Sequence, residues 1–511
     1  MGYKIIELTL PVNYSEEQLQ HAIRKKARVH KFTWQILTKS LDARKKDHIH
    51  WQFRIAVSAA ELKGESPLPE APLGLTYRKR NQHILVAGAG PAGFFAAYVL
   101  QQSGFNVTLL EQGSDVKRRT KAIASFEKSG VFDPLGTYSF GEGGAGTFSD
   151  GKLTSRTKRI SKEKAFITDA YLKAGAPEEI AWLTHPHLGS DNLRKIVKNL
   201  REAFIKIGGT VLFETPLTGL RLSGRKVVEA LTDKDVHKVD YLIVAPGHSS
   251  YETYRMLLGA GAPFRTKNFA IGSRAEHPQP LINKAQWGVP ELPGLKAAEY
   301  RLTAKAKANR PVYTFCMCPG GMVVPATPYE HTNIVNGMSY YQRNSAFANA
   351  ACVVGIHPDQ LAGKSVSPLE ALAQLEQLEA SFKSFTGNYT APFITIHDFL
   401  KGKTGSSIPE TSYPLGLTPA PLYQMLPPAI VAGMREGLEQ FARKLKGYDQ
   451  GILLGLESKT SSPIQAIRDA HNRFEGFENL FIAGEGSGYA GGIMSSAADG
   501  IRTAMHIVGT H

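Results

Sequence analysis

The chain has 511 residues, 42% hydrophobic and 21% charged, which excludes a disordered or fibrous protein and allows two to four domains with substantial cores. Three cysteines exclude a disulfide framework and suit a reducing cytoplasm, the expected location. Of the net charge of +15, residues 1–83 carry +7 (15 Lys and Arg against 8 Asp and Glu); such a patch can attract nucleic acid, but a solvated basic face is the commoner outcome, so nucleic acid is not the expected partner.

The N-terminus has no basic segment leading into an apolar one, so no signal peptide is expected, and no apolar run is long enough to span a membrane. Residues 3–10 alternate as a strand, Ser15 caps a helix running to about Ala27, residues 32–41 are β-rich, and 48–57 alternate again. This pattern predicts a small ferredoxin-like α/β domain over 1–64, followed by a Pro-rich linker over 65–80. His48 and His50 lie two apart on one strand without a further ligand nearby, so no metal site is expected.

Residues 84–87 are a short apolar run, followed by Gly88-x-Gly90-x-x-Gly93, an apolar helical pattern, a second β-type run at 106–110, and Glu111. Each glycine has a mechanical role in a βαβ unit: Gly88 for the tight turn, Gly90 for close approach of a pyrophosphate, Gly93 for helix–strand packing. The helix beginning at Pro91 and Ala92 aims free N–H groups at the phosphates. Glu111, 18 residues past Gly93, is placed to accept ribose hydroxyls, which favours FAD or NAD(H) over NADP(H). Arg118 and Arg119 come too late in the chain to serve a 2′-phosphate and read as surface residues.

A charged helix over 116–128 precedes a second glycine-rich stretch. Gly141, Gly143 and Gly146 fit GxGxxG literally, but no clean buried strand comes before and Thr147-Phe148-Ser149-Asp150 follows. Gly143, Gly144, Gly146 and Thr147 are therefore expected to pass close to a flat ligand, the tricyclic flavin being the obvious one. An amphipathic helix over 191–207 and successive strands over 209–244 follow, the last ending on Pro246-Gly247-His248. Residues 265–450 mix strands and helices in the manner of an inserted α+β substrate domain.

Near the C-terminus, residues 479–483 form a buried strand ending on Gly484 and Glu485. Gly486, Gly488, Gly491 and Gly492 then lead into a small-residue helix from Ile493. No strand or ribose acid follows, so this is not a second dinucleotide fingerprint. It closes the flavin half of an FAD site, with Glu485 at the ribityl hydroxyls and the helix start able to stabilise charge on the reduced ring. The predicted fold class is α/β: a Rossmann-like FAD-binding domain over 81–264, resumed over 451–511, around the inserted domain.

The arrangement resembles the two-dinucleotide-binding-domain flavoproteins, whose pattern usually ends in Gly-Asp where this chain has Gly484-Glu485. More specifically, residues 140–156 (FGEGGAGTFSDGKLTSR), 314–321 (TFCMCPGG), 455–469 (GLESKTSSPIQAIRD) and 484–492 (GEGSGYAGG) are similar to a bacterial family of FAD-dependent, or NAD(FAD)-utilising, dehydrogenases. The resemblance implies non-covalent FAD and a small N-terminal α/β domain, and leaves the substrate open.

Candidate chemistry centres on three residues. Lys152 can reach flavin N5, and Asp150 beside it can act as acid or base. Cys318, in Cys316-Met317-Cys318, offers a thiolate; a regular strand over 312–318 would put both cysteines on one face. Arg274 and Glu276 alternate on a strand as a cavity lining or an ion pair, and Arg343 within 342–345 offers an anion clamp. The expected function is an FAD-dependent oxidoreductase acting on a small molecule, with NAD(P)H as a transient donor. An FAD-dependent RNA-modifying enzyme and a flavin-binding redox sensor are the alternatives.

Overall fold

The apolar run read as a buried strand is the middle of a five-stranded sheet in the computed structural model, which describes residues 2–65, 73–155 and 157–511. In spatial order the strands are Leu480–Ile482, Tyr241–Val244, His83–Ala87, Asn106–Leu110 and Thr210–Leu212, every neighbouring pair parallel. Parallel strands are covered on both faces, which is why they read as unbroken apolar runs. One face packs against the helices Pro91–Gln102, Gly189–Lys206 and Ile493–Gly509. The other packs against an antiparallel sheet of Leu217–Ser223, Lys226–Thr232 and Val236–Lys238 and the helix Tyr251–Gly259. Ile84, Leu85 and Val86 are fully buried, each contributing about 1.5–3 kcal/mol of transfer free energy.

The N-terminal unit is strand–helix–strand–strand: Gly2–Pro11, Glu16–Ala27, Phe32–Asp42 and His50–Ala59, with the last strand in the centre of an antiparallel sheet. These are four of the six elements of a ferredoxin-like order. Ser15 caps the helix through a capping box, its hydroxyl accepting from Gln18 N at 3.2 Å while Gln18 Oε1 accepts from Ser15 N at 2.9 Å. The imidazoles of His48 and His50 lie 4.6 Å apart, and no group of three metal-ligating side chains occurs among the described residues. The linker expected over 65–80 falls partly outside the described residues, as does Arg156.

The third unit is an eight-stranded sheet running Thr303–Ala306, Arg310–Pro325, Phe347–Ile356, Phe269–Pro278, Ile452–Glu457, Ala391–Thr395, Leu417–Pro419, with Val335–Ser339 also paired to Arg310–Pro325. The boundary expected at 450 is therefore too early, because Ile452–Glu457 is a central strand of this sheet, between Phe269–Pro278 and Ala391–Thr395. An apolar strand buried on both faces has no periodicity that tells one sheet from another. The chain leaves the nucleotide unit at Phe264–Thr266 and returns at Ile464–Ala466, and these two segments pair antiparallel as a neck. Among the described residues no helix is long and apolar enough to cross a membrane.

Candidate functional site

Both ends of the nucleotide unit open onto one cleft of about 510 Å³, walled by Gly88, Gly90, Pro91 and Ala92 on one side and by Gly484, Glu485, Gly491, Gly492 and Ile493 on the other. The helices Pro91–Gln102 and Ile493–Gly509 both begin at this cleft, and neither has a side-chain cap on its first turn. Their free N–H groups and dipoles therefore point at whatever lies between them. Glycine is required where they approach. A Cβ on Gly88 would lie 2.2 Å from Ala245 O and one on Gly93 would lie 1.9 Å from Gly88 O. One on Gly484 would lie 2.6 Å from the Ala92 Cβ.

Glu111 is 5% exposed, and its carboxylate accepts three backbone N–H groups: Ala89 at 2.9 Å, Gly113 at 2.9 Å and Gly141 at 3.0 Å. It thus ties the fingerprint turn to the second glycine-rich loop. That loop has left-handed backbone at Gly143 and Gly144, with φ of 77° and 65°. Arg119 braces it from behind. Fully buried, it donates to the carbonyls of Thr137, Tyr138, Glu142 and Gly144 at 2.8–3.0 Å. Burial brings the guanidinium down to about 10, against the pull of Glu111 and Glu142. Burial also raises the Glu142 carboxyl.

Gly144 and Gly146 reach the cleft wall, but Gly93, Gly143 and Thr147 do not. Gly93 closes helix against strand as the spacing predicts. Gly143 and Thr147 support the loop, Gly143 N donating to Ala89 O at 3.0 Å and Thr147 Oγ1 to Glu142 O at 3.1 Å. Gly247 lines the cleft, and beside it His248 brings Nδ1 to 3.5 Å from Glu485 Oε2. His248 Nε2 is buried without a hydrogen-bond partner. Lys267 Nζ donates to Gly488 O at 2.6 Å, its ammonium pulled down by burial. Two uncapped helix starts, a close backbone approach of Gly144 to Gly90, and an orphaned imidazole nitrogen fit a dinucleotide stretched along this cleft.

Elsewhere on the cleft wall Lys152 donates to Met317 O at 2.7 Å and Glu299 at 2.9 Å, with Asp150 at 3.8 Å. Burial opposes the charge, but Glu299 and Asp150 raise the ammonium above its ordinary value. Asp150 is gripped by Arg343 at 2.9 and 2.5 Å, and Glu299 takes another Arg343 nitrogen at 2.9 Å. The expected free acid or base at Asp150 and the anion clamp at Arg343 are thus each other's partners. Arg274 does not pair with Glu276: it contacts Glu457 at 2.7 Å, while Glu276 accepts from Thr411 at 2.6 Å.

Cys318 is fully buried and off the wall, while Cys316 lines it. The face-sharing expected of the two cysteines fails because the strand Arg310–Pro325 shifts register between Phe315 and Cys318, with Cys316 at φ 46°. A bulge re-aims side chains in a way that alternation does not foresee. Lys267 and Asn336, which line the cleft, the latter accepting from Arg274 Nη1 at 3.2 Å, are absent from the sequence reading, and Arg119 and His248 appear there without a role at the site. Only His248 had a signal, its place directly after the Pro246-Gly247 turn.

The chain matches an "FAD-dependent protein, C-terminal domain-like" family over residues 268–460, an NAD(P)-binding Rossmann-like domain over 86–128, and a domain of unknown function over 3–58. An uncharacterized protein of Clostridium beijerinckii is 37% identical over 530 residues, covering 99% of each chain. Among solved structures, a glycine oxidase from Bacillus cereus is 11% identical with a TM-score of 0.33, over 84% of this chain and 96% of that one. An L-proline dehydrogenase from P. horikoshii is 12% identical with a TM-score of 0.33, over 85% and 95%.

Proposed function

The chain belongs to one family with its Clostridium relative and carries the FAD-dependent C-terminal domain over residues 268–460, and on that premise we propose that it is an FAD-dependent oxidoreductase acting on a small molecule, with FAD held non-covalently. When bound, FAD supplies a two-electron centre that takes or gives hydride at N5. The observation that carries the reading is the meeting of residues 88–92 and 484–493 across one cleft, with Lys152 and Cys316 on the same wall.

Each chain residue then has a defined task. The helix start at Pro91 would hold the pyrophosphate. Glu111, with three of its lone-pair directions taken by N–H groups, keeps one for an adenosine ribose hydroxyl. Glu485 would hold ribityl hydroxyls, and the helix start at Ile493 would favour negative charge nearby. Lys152 keeps its proton at Nζ, so it orients and neutralises rather than acting as a base. Asp150 and Arg343 set the position of Lys152. Only one full nucleotide fingerprint, with its second strand and ribose acid, is present among the described residues, so NAD(P)H as donor would have to enter the same cleft.

The purified protein should be yellow and release FAD on denaturation. Mixing with NADH, NADPH and a panel of metabolites in anaerobic stopped flow should bleach it. A colourless protein that added FAD does not restore would overturn the cofactor assignment. Bound FAD that no member of the panel reduces would overturn the oxidoreductase assignment.

A further inference from the structure

Where the strand Arg310–Pro325 passes the cleft, its pairing with Phe347–Ile356 is broken and Cys316 takes left-handed backbone. Such backbone is strained for a residue with a side chain and persists only when its surroundings impose it. Two cations do so here. Arg274 Nη2 donates to Cys316 O at 2.7 Å, and Lys152 Nζ donates to Met317 O at 2.7 Å. Gly337 lets Arg274 lie directly behind the wall, since a Cβ there would come within 2.2 Å of Arg274 Nη2. The bulge turns Phe315 and Cys316 to the cleft and leaves Cys318 beneath them, its Sγ 3.4 Å from Cys316 O and 3.7 Å from Arg274 Nη2.

We propose that Cys316 is a nucleophilic thiolate in the cleft wall, positioned by Arg274, Lys152 and the buried Cys318 thiol, and that it adds to an electron-poor, carbonyl-activated carbon of the substrate. In that step a sulfur lone pair forms the S–C bond. The displaced π pair moves onto the carbonyl oxygen, which takes a proton from water, and no oxidant is consumed. Four titratable or charged groups act on the thiol. Cys318, whose Sγ–H donates to Cys316 O, draws the Cys316 thiol below the ordinary thiol range against the cost of burial, Arg274 and Lys152 add to that pull, and Glu457 opposes it. Cys318 is itself pushed well up, so its thiol keeps the proton that it donates to Cys316 O. This inference rests on the cleft being the reaction site of the proposed oxidoreductase.

The test is alkylation of the protein, as purified with its FAD, by iodoacetamide across a pH series, read by peptide mass mapping. Here the S–C bond forms, C–I breaks and iodide leaves. Cys316 alone should be labelled, with a midpoint at least about one unit below the ~8.5 of a free cysteine. Cys318→Ala should move the midpoint back toward the free value while FAD stays bound, and Cys316→Ser should abolish labelling. A small enone should add to Cys316 with a rate that saturates in enone concentration. A midpoint at or above that of free cysteine, or no labelling of a cooperatively folded, FAD-loaded protein, overturns the thiolate. An enone rate that stays linear and equal to that of a free thiol overturns the substrate class. A protein without FAD whose Cys316 still reacts at low pH would sink the oxidoreductase reading and leave the thiolate standing.

Discussion

Arg343 grips Asp150 through two hydrogen bonds, at 2.9 and 2.5 Å, between residues 193 positions apart that are 5% and 1% exposed. The pair staples the glycine-rich loop of the nucleotide unit to the unit of the eight-stranded sheet. Removing one partner from a buried pair strands the other charge, at a cost of about 3–5 kcal/mol. Asp150→Asn should therefore lower the melting temperature and release FAD at lower denaturant. Adding Arg343→Met should recover part of the loss. A double-mutant cycle with a coupling below about 1 kcal/mol would show that the contact is not a staple.

Glu299 makes the same junction pH-sensitive. Burial raises its carboxyl, but Lys152 and Arg343 outweigh burial and hold it down at about 2. A depressed carboxyl contributes stability above its unfolded value near 4.3 and loses it as pH falls through the folded value. The wild-type protein should thus be more stable than Glu299→Gln above about pH 4.5, and the two should converge between there and pH 2. The side chain is 38% exposed, so solvent screening limits the gap to about 1 kcal/mol. Denaturant midpoints of the two proteins at pH 7, 4 and 3 measure it, and a gap that does not narrow refutes the pairing.

The parts of this architecture visible in the sequence are those in which local chemistry and global fold agree. A buried strand, three spaced glycines and an apolar helix admit one arrangement, and Ser15 announces its helix through its own hydroxyl. The misses come from long-range contacts. Nothing around 452–457 states which sheet it joins, since a strand buried on both faces looks alike in either. Arg119 reads as a surface residue in a basic helix because its partners are carbonyls of a loop 18 or more residues onward. The Cys316 bulge is imposed by Arg274 and Lys152, from distant strands and loops, and leaves no mark on alternation.

Gly500 is a helix residue whose lack of side chain sets a distance. A Cβ there would fall 2.0 Å from Ala92 O, so the helices beginning at Pro91 and Ile493 approach as closely as they do because this position is empty. Gly500→Ala should push them apart, cost about 1–3 kcal/mol and weaken FAD retention. Gly509→Ala, near the end of the same helix with nothing within 4 Å, should be neutral or slightly stabilising. Melting curves and retained flavin absorbance distinguish them. Equal behaviour of the two variants would mean that the helix contact has slack.

Arg119 carries the last expectation. Its four donated hydrogen bonds hold the loop that Glu111 ties to the fingerprint turn, and its charge lies against the buried Glu111 and Glu142. Arg119→Met removes a donor from all four carbonyls, of which Glu142 O and Gly144 O keep Thr147, and takes the buried charge from beside Glu111 and Glu142, the latter keeping Arg201 at 3.3 Å, so a loss of about 3–5 kcal/mol is expected. Arg119→Lys keeps the charge but replaces a planar fork by a point, which does not span four carbonyls. The Lys variant should therefore fold, with FAD bound at least about tenfold more weakly, roughly the equivalent of one lost hydrogen bond. Fluorescence titration of the apoprotein with FAD reads this directly. An unchanged Kd in the Lys variant would mean that the charge alone, and not the fork, supports the loop.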